Sequence, residues 1–199
     1  MFRRELTQDD LIRARIPTRH WGVSMSGVQD SVKEHGLKYL QTIESMAQKG
    51  IGLLLWGPNG VGKTSLAVII GKECRRRGYS LLFMECSTIK GSVIQNEVFD
   101  DEQSVWDRAQ SVDVLILDDL GKGVQDSTGF GARVIDDLIR HRNANKRVTF
   151  ITTNMTIKAL EEELKPSTMH SLKECIYPIK VSGNDLREES KEGIRDILS

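Results

Sequence analysis

The segment Gly57-Pro58-Asn59-Gly60-Val61-Gly62-Lys63-Thr64 constrains this 199-residue chain more than any other feature. It matches G-x-x-x-x-G-K-[ST], a phosphate-binding loop that stands between a strand and a helix. Glycines allow consecutive backbone N–H groups to point into one concavity, which binds polyanions. Lys63 brings a positive charge to the β- and γ-phosphates, and the Thr64 hydroxyl can ligand Mg²⁺. The segment, extended by Ser65, therefore predicts a site for ATP and Mg²⁺.

The residues around the loop favour the same interpretation. Residues 51–56 form an apolar run of strand length before the loop, and apolar residues recur at helical spacing after it, up to the stop at Gly78: Leu66, Ala67, Ile69, Ile70 and Cys74. In this arrangement the phosphates lie at the N-terminus of the helix, where its dipole favours negative charge.

Apolar strands alternate with amphipathic helices along the rest of the chain. The predicted strands are 51–56, 80–85, 112–118, 147–153 and 176–181, and the predicted helices are 8–14, 28–48 as one helix or a pair, 64–77, an interrupted 87–111, 128–143, 156–164 and 184–198. This alternation predicts an α/β fold with a parallel sheet that is covered on both faces. We divide the chain into an N-terminal arm, 1–27, and one ATPase domain, 28–199. Ligands of such sheets bind at the carboxyl ends of the strands.

Composition excludes several classes of protein. The 28 basic and 28 acidic residues cancel, so the net charge identifies no partner. The three cysteines, Cys74, Cys86 and Cys175, lack metal-ligand spacing and are expected to be reduced, partly buried thiols. The chain begins without an apolar signal region and has no apolar run long enough for a bilayer. We therefore expect a cytoplasmic protein with no membrane association.

Two carboxylates follow the apolar run Val114–Leu117. We assign Asp118 to Mg²⁺ support, directly or through a metal-bound water, because P-loop enzymes place an acidic residue at this strand end. Asp119 is the candidate general base that orients the attacking water. A structural role for Asp119 stays open. Asn154, at the end of the predicted strand 147–153, is the candidate sensor of the γ-phosphate, although Asn is also a common turn residue.

The ordered set of segments 57–64, Leu115–Gly121 (LILDDLG) and Ile151–Asn154 (ITTN) resembles the AAA+ ATPases of the DnaC/IstB type. These are bacterial and phage helicase loaders and the ATPase helpers of transposases. Ala14–Trp21 is similar to the family's entry segment, usually written IP-x-RF. Asp185-Leu186-Arg187 resembles the terminal SYR element, whose arginine serves as sensor 2. The likeness covers residues 12–190.

The resemblance implies a fold, a set of binding partners and a role for Arg187. It implies a three-layer P-loop sandwich whose five parallel strands have the order 5-1-4-3-2, with a much reduced lid. It also implies ATP-dependent oligomers and a replicative helicase or a transposase as partner. The implied DNA ligand is single-stranded or duplex DNA, of which single-stranded DNA is favoured. Arg187 would act as sensor 2 within its own subunit.

The chain departs from the family pattern in three ways. Family members carry an arginine pair after the TTN element that reaches into a neighbour's ATP site, and Ser167 and Ser171 occupy those positions here. Because an arginine finger contributes about 10³-fold or more in rate, we expect slow hydrolysis by the chain alone. Lys165 or Lys173 is an alternative source of the charge, but a lysine lacks the bidentate fork of arginine. Helicase loaders usually carry a separate helicase-binding domain where this chain has a short arm. The segment that maps to the loaders' single-strand contact, 87–110, is acidic. Any DNA contact is therefore expected through the basic residues that end two predicted helices: Arg75, Arg76, Arg77, Arg140, Arg142, Lys146 and Arg147.

Four functions remain in order of preference. The first is a DnaC-like helicase loader that acts on DNA, and the second is an IstB-like transposase helper with the same motifs. The third is a nucleotide-gated scaffold with little turnover, which the missing arginines favour. A small-molecule P-loop kinase is the fourth, and nothing in the chain resembles the arginine-bearing lid that such kinases need.

Overall fold

A computed structural model describes residues 4–89, 91, 93, 104–121 and 129–185 of the chain. Its α-helices are α1 (Gln8–Arg13), α2 (Asp30–Gln41), α3 (Ile43–Lys49), α4 (Lys63–Arg76), α5 (Val105–Ser111), α6 (Phe130–Ala144), α7 (Ile157–Glu163) and α8 (Pro166–Cys175). Its strands are β1 (Gly52–Trp56), β2 (Leu81–Glu85), β3 (Val114–Asp118), β4 (Val148–Thr153) and β5 (Ile176–Lys180). Short 3-10 turns lie at Thr18–His20, Met25–Gly27 and Cys86–Thr88.

The five strands form one parallel sheet in the order β2-β3-β4-β1-β5. The predicted order 5-1-4-3-2 is the same sequence of strands counted from the other edge, so this prediction is confirmed. Leu117 pairs with Ile151, and Trp56 pairs with Thr153. The phosphate loop and the segments after β3 and β4 therefore meet at one edge of the sheet.

Side-chain alternation along the strands divides the core into two layers. Leu53 and Leu55 of β1 face a cluster that includes residues of α2, α3 and α4, whereas Leu54 faces a cluster with residues of α5, α6, α7 and α8. Successive side chains of a strand point to opposite faces, and a strand covered on both faces must be apolar throughout. The predicted sandwich of helices around a parallel sheet is therefore confirmed.

The N-terminal arm is joined to the sheet and to the far end of α4. Thr7 and Asp10 form a capping box at the start of α1. The Asp10 carboxylate also accepts from Arg4 at 2.6 Å and from Arg75 of α4 at 2.9 Å. Further on, Phe83 N–H of β2 donates to Ala14 O at 2.8 Å. The arm thus runs from the C-terminus of α4, across the edge strand, towards the carboxyl ends of the strands.

The helices after the arm and before β5 add detail to the prediction. Residues 28–48 form two helices, which was one of the two predicted alternatives, and Gly50 ends the second with a φ of 71°. Helix α8 was not predicted, although Pro166 occupies its first turn and Met169, Leu172 and Cys175 form its buried side. The predicted terminal helix 184–198 lies outside the described residues except for its first two, and Arg187 lies outside them as well. The same holds for Asp100, Asp101 and Glu102, which make the segment 87–110 acidic.

Arg142 corrects an expectation about the basic segment near the end of α6. Sequence reasoning places Arg142 among exposed cations that could contact DNA, but its side chain is 0% exposed. Its guanidinium donates to Ala109 O at 2.7 Å, Val112 O at 3.0 Å and Val148 O at 2.6 Å. Arg142 therefore joins α5, α6 and β4, and it offers nothing to a DNA backbone.

The three cysteines are free, and all three are buried, whereas only partial burial was predicted. Burial raises the pKa of the Cys74, Cys86 and Cys175 thiols, for Cys175 to about 11. Within the described part of the chain, no helix combines the length and apolar composition that a bilayer span requires.

Candidate functional site

A cavity of about 680 Å³ opens at the carboxyl edge of the sheet, beside the N-terminus of α4. Three parts of the chain form it: the N-terminal arm, the phosphate loop, and the ends of β2, β3 and β4. The lining residues are Arg19, His20, Val23, Asn59, Gly60, Gly62, Lys63, Thr64, Ser65, Glu85, Ser87, Asp118, Asp119 and Thr152. Six of the nine predicted loop residues and the two predicted aspartates are thus brought together, whereas Gly57, Pro58 and Val61 do not line this cavity.

The loop conformation depends on glycine. Gly57 has a φ of 148° and lies so close to the segment after β5 that a Cβ there would be 2.0 Å from Val181 O. Gly62, with a φ of 92°, precedes the first residue of α4. Residues with a side chain rarely adopt these angles. The glycines therefore permit the tight turn from β1 into α4, which leaves the helix N-terminus open to an anion.

Lys63 is held inside the loop. It is the first residue of α4 and is buried, and its Nζ donates to Gly57 O at 2.8 Å and to Pro58 O at 2.5 Å. The ammonium group thus lies against the loop backbone and lines the cavity. A lysine in this position offers a compact positive charge to phosphate oxygens.

Asp118, Thr64 and Thr152 form a connected group of oxygens. Thr64 Oγ1 donates to Asp118 Oδ1 at 2.8 Å, and Thr152 Oγ1 donates to the same oxygen at 2.6 Å. No group of three His, Cys, Asp or Glu side chains suited to a metal occurs among the described residues. Mg²⁺ does not need one, because it binds through one or two hard oxygens together with waters and phosphates. The Thr64 and Asp118 oxygens fit that requirement.

Asp119 has an unusual backbone. Its φ is 59°, in the left-handed region that residues other than glycine avoid at a cost of about 1–3 kcal/mol. Its N–H donates to Thr152 Oγ1 at 2.9 Å, which fixes the turn after β3. The half-buried carboxylate lines the cavity. A strained residue at a cavity wall is typical of functional sites, and the predicted role as base stays a prediction.

The two predicted sensor residues, Asn154 and Arg187, are not among the described residues that line the cavity. Asn154 lies just beyond β4, is exposed, and is not one of the described residues that line the cavity. Thr152, which sequence reasoning missed, does line it. Arg187 lies outside the described residues, but Asp185 of the same element packs on the loop, since a Cβ on Gly60 would lie 1.8 Å from its Oδ1. The sensor roles of Asn154 and Arg187 therefore stay predictions.

The two serines at the family's arginine positions lie on α8. Asp136 of α6 is buried and anchors the start of this helix, because its Oδ1 accepts from Thr168 at 2.6 Å and from Ser167 at 3.4 Å. Ser167 is exposed and Ser171 is partly exposed. Neither side chain can provide a cation to a neighbouring molecule.

The arm contributes residues that sequence reasoning did not assign to the site. Arg19 and His20 line the cavity, and Arg19 Nε donates to His20 Nε2 at 3.1 Å. Burial and the Arg19 charge lower the pKa of His20, while Asp118 opposes them. The sequence feature that points to this part of the arm is the likeness of Ala14–Trp21 to the family's entry segment. That likeness identifies the family and assigns no residue to the site.

A second cavity of about 290 Å³ adjoins the first. It is lined by Gly22, Val23, Ser24, Ser26, Gly27, Val28, Gln29, Val32, Val61, Gly62, Ser65 and Ile69. Val23, Gly62 and Ser65 belong to both cavities. The first cavity is the more polar of the two, and the second is the more apolar. Adjoining cavities of this kind suit a molecule with a charged end and a flat apolar end.

Known proteins resemble this chain in sequence. The family model described as "IstB-like ATP binding protein" matches residues 24–173. An ATP-binding protein of insertion sequence IS1162 from Pseudomonas fluorescens is 34% identical over 108 residues, which cover 52% of this chain and 43% of that protein. The replicative helicase loader DnaI of Bacillus subtilis (strain 168) is 26% identical over 157 residues, 70% of this chain and 48% of that protein. This chain spans less than half the length of either relative.

The fold has a similar counterpart among solved structures. The crystal structure of the DnaC helicase loader matches with a TM-score of 0.71 at 22% identity, over 83% of this chain and 100% of that chain. This likeness concerns the fold, whereas the family model covers three quarters of the chain, including the loop, both aspartates and Thr152. The chain therefore belongs to the family of IstB-like ATP binding proteins, which are AAA+ ATPases of the DnaC/IstB type.

Proposed function

We propose that this chain binds ATP with Mg²⁺ in the cavity between the phosphate loop and β3, and that it hydrolyses ATP slowly when alone. The observation that carries the proposal is the 2.8 Å contact between Thr64 Oγ1 and Asp118 Oδ1. It joins the phosphate loop to the acidic strand end, and P-loop enzymes need both to hold a metal-bound triphosphate. The base of the nucleotide fits the second cavity, next to Val61.

The chain's own residues have distinct parts in the proposed reaction. The loop backbone from Asn59 to Gly62 and the Lys63 ammonium bind the phosphates. Thr64 and Asp118 would hold Mg²⁺, which neutralises charge on the β- and γ-phosphates. Asp119 accepts the proton of the attacking water. Asn154 and Arg187 are proposed to sense the γ-phosphate.

Slow turnover follows from the two serine hydroxyls of α8 at the positions of the family's arginine pair. Ser167 and Ser171 stand where relatives are expected to carry the arginine pair, and a hydroxyl cannot neutralise charge that develops in the transition state. A second protein with intact arginines could supply that charge. This feature also supports the alternative of a nucleotide-gated scaffold with little turnover.

The proposed cellular role is to load a replicative helicase onto DNA, with ATP ordering an oligomer. The likeness to DnaI supports it. A transposase helper is supported equally, by the family description and by the insertion-sequence relative. Copurification of tagged protein with a hexameric helicase would favour the first role, and copurification with a transposase would favour the second.

DNA binding would use exposed cations rather than the acidic segment. Arg140 and Lys146, near the end of α6, are exposed. Reversal of both charges should weaken binding of single-stranded DNA and flatten the dependence of the affinity on salt. With fewer phosphate contacts, binding releases fewer counterions from the DNA. An unchanged salt slope would show that these two residues are ordinary surface cations.

Calorimetry with the Lys63→Ala variant tests nucleotide binding directly. Removal of the main phosphate counter-charge should weaken ATP binding by about 100-fold or more. Lys49→Ala, which removes an exposed lysine of α3, is the matched control. Equal ATP affinity in the Lys63 and Lys49 variants would contradict the proposed site.

ATPase activity across a wide range of protein concentrations, with and without single-stranded DNA, tests turnover. Specific activity should stay low and nearly constant as the concentration of the chain alone rises. A steep, cooperative rise would show that the chain builds a shared site from other residues, and the interpretation of Ser167 and Ser171 would then be wrong.

A further inference from the structure

The middle of α4 contains a buried lysine that has no part in the proposed nucleotide site. Lys72 is 7% exposed, and residues 66–74 around it are all buried. Among the described residues, Lys72 forms no ion pair with a carboxylate. Removal of an ammonium group from water is unfavourable unless strong partners compensate for it. The partners of Lys72 therefore indicate why a charge is present in this packed helix.

Lys72 donates to two backbone carbonyl groups of the N-terminal arm. Its Nζ is 2.7 Å from Trp21 O and 2.9 Å from Val23 O. Burial and the charge of Arg76 lower the pKa of Lys72, so the charged form depends on the groups that accept its hydrogen bonds. A charged donor makes stronger hydrogen bonds than a neutral one. Since the two carbonyls lie on either side of Gly22, one ammonium group fixes the backbone of three successive residues.

The segment that Lys72 fixes forms a wall of both cavities. Gly22 and Val23 line the second cavity together with Val61 of the loop and Ile69 of α4, and Val23 also lines the first cavity. Ile69 and Lys72 are three residues apart, so they lie on the same face of α4. The second cavity is thus enclosed by the arm on one side and α4 on another, and Lys72 joins the two.

The other contacts of this segment do not set the position of its backbone in the same way. Trp21 Nε1 donates to Ile16 O at 2.8 Å, which closes a turn inside the arm itself. The side chains of Trp21 and Val23 pack against the cluster between the sheet and α4, but apolar packing is non-directional. The ion pair of Asp10 with Arg75 holds the arm at the far end of α4. Lys72 therefore provides the directional contact at the cavity wall.

We propose that Lys72 is a positioning residue for the nucleotide, whose buried ammonium group fixes residues 21–23 as one wall of the cavity for the base. This inference rests on the proposed nucleotide-binding function, in which the base lies in the second cavity. Lys72 touches neither the nucleotide nor Mg²⁺, so its effect passes through the backbone of the arm. The phosphates are bound by the loop backbone and Lys63, which do not depend on the arm.

The Lys72→Met variant tests the proposal by calorimetry on the full chain with Mg²⁺. It keeps a long unbranched side chain and removes the charged donor. ATP and adenosine should each bind about 10-fold more weakly, the loss expected when the wall is in place about a tenth of the time. Inorganic tripolyphosphate, the probe without a base, should bind as it binds to the unaltered chain. A general loss of stability in a folded variant would not separate the base from the phosphates in this way.

Lys72→Gln is a second variant for the case in which Lys72→Met does not fold. Its side chain is shorter and uncharged but still carries an N–H donor, so the arm carbonyls lose less. Adenosine and ATP should bind this variant more weakly than the unaltered chain but more tightly than they bind Lys72→Met. Urea unfolding shows which of the two variants is folded.

Two controls separate the cavity wall from the arm and from the charge. Asp10→Asn weakens the other attachment of the arm to α4, far from the cavity lining. Lys38→Met removes an exposed lysine of α2. Both variants should bind adenosine as the unaltered chain does.

Amide hydrogen exchange gives a readout that is independent of affinity. Without nucleotide, peptides that cover residues 18–28 should exchange faster in Lys72→Met than in the unaltered chain or in Asp10→Asn, because local opening depends on local contacts. ATP should slow this exchange in the unaltered chain.

The outcomes separate this inference from the proposed function. Failure of the unaltered chain to bind ATP would overturn the proposed function and the inference with it. Normal affinity for adenosine in a folded Lys72→Met variant would overturn the inference alone. Equal weakening of tripolyphosphate would assign Lys72 to the phosphate site, and an equal loss in Asp10→Asn would show that any attachment of the arm has this effect. Either result would also overturn the specific role of Lys72 at the base.

Discussion

Thr152 of β4 and Asp118 of β3 lie side by side, with Thr152 Oγ1 donating to Asp118 Oδ1 at 2.6 Å. The same hydroxyl accepts the N–H of Asp119 at 2.9 Å. Since Thr64 Oγ1 also donates to Asp118 Oδ1, at 2.8 Å, one carboxylate oxygen connects the phosphate loop with two strands. A single threonine therefore holds both of the predicted acidic residues of the site.

The Thr152→Val variant should lose both contacts while keeping the shape of the side chain. We expect the free energy of unfolding to fall by about 1–3 kcal/mol, because Asp119 N–H and the Asp118 carboxylate each lose a buried partner. ATP binding should also require a higher Mg²⁺ concentration, since Asp118 is no longer fixed. Urea unfolding and Mg²⁺ titrations measure the two effects. Thr18→Val, at an exposed position, is the control, and an unchanged Mg²⁺ requirement would show that Thr152 has only a structural role.

The Asp119→Asn variant should keep ATP binding and slow hydrolysis by about 100-fold or more, the usual contribution of a positioned base. Asn tolerates the left-handed backbone that Asp119 adopts, so the turn after β3 should persist. Single-turnover hydrolysis and calorimetry separate the two effects. Asp137→Asn, on the exposed side of α6, should behave as the unaltered chain does. Near-normal turnover would exclude Asp119 as the base.

The Arg142→Met variant should lower the free energy of unfolding by about 3 kcal/mol or more, because several buried carbonyl oxygens lose their donor at once. The exposed Arg140 lies two residues earlier on the same helix, and its nitrogen is 3.9 Å from a carboxylate oxygen of Asp136. Arg140→Met should change stability by less than about 1 kcal/mol. Chemical denaturation of both variants makes the comparison, and similar losses would contradict the structural role of Arg142.

The Asp10→Asn variant should lose stability at neutral pH but not in acid. Hydrogen bonds, first from Arg4 and also from Thr7 and Arg75, hold the pKa of Asp10 well below its ordinary value. A carboxyl group whose pKa is lowered by folding stabilises the protein above its unfolded pKa, about 4. That stabilisation disappears as the pH falls through the folded pKa.

We therefore expect Asp10→Asn to cost about 1–2 kcal/mol at pH 7, a value reduced because Arg4 is partly exposed. The difference from the unaltered chain should shrink as the pH falls below about 4. Urea unfolding across pH measures it, with the exposed Asp9→Asn as control. A difference that stays constant down to low pH would show that charge on Asp10 has no part in anchoring the arm.

The sheet and the loop could be predicted because their signals are local. An apolar run, a glycine-rich turn and an amphipathic helix each follow from neighbouring residues, and the resemblance added the strand order. Helix α8 does not follow from the family comparison, which concerns only the arginine positions now held by Ser167 and Ser171. Yet Pro166 at the start and the spacing of Met169, Leu172 and Cys175 are ordinary helix signals.

For Arg142 and Thr152, the position along the helix or strand determines the environment of the side chain more than the residue type does. Arg142 continues the buried stripe of Val134, Ile135, Leu138 and Ile139, so helical periodicity places it inside. Asn154 is the more polar of the two residues, so polarity alone favours it as the sensor, although Thr152 is the one that lines the cavity. The part played by Arg19 and His20 could not be predicted from local pattern, because it depends on the arm crossing the sheet edge and returning to α4.

Because the three free thiols are buried, their rates of alkylation report local unfolding of the protein. Maleimides react with exposed thiolate, so Cys74, Cys86 and Cys175 should remain unmodified while the fold is closed. They lie in separate places: on α4, directly after β2, and at the junction of α8 and β5. The order in which alkylation reaches them would reveal which part of the sandwich opens first. Any ligand that binds the closed form should slow that chemistry in proportion to its occupancy.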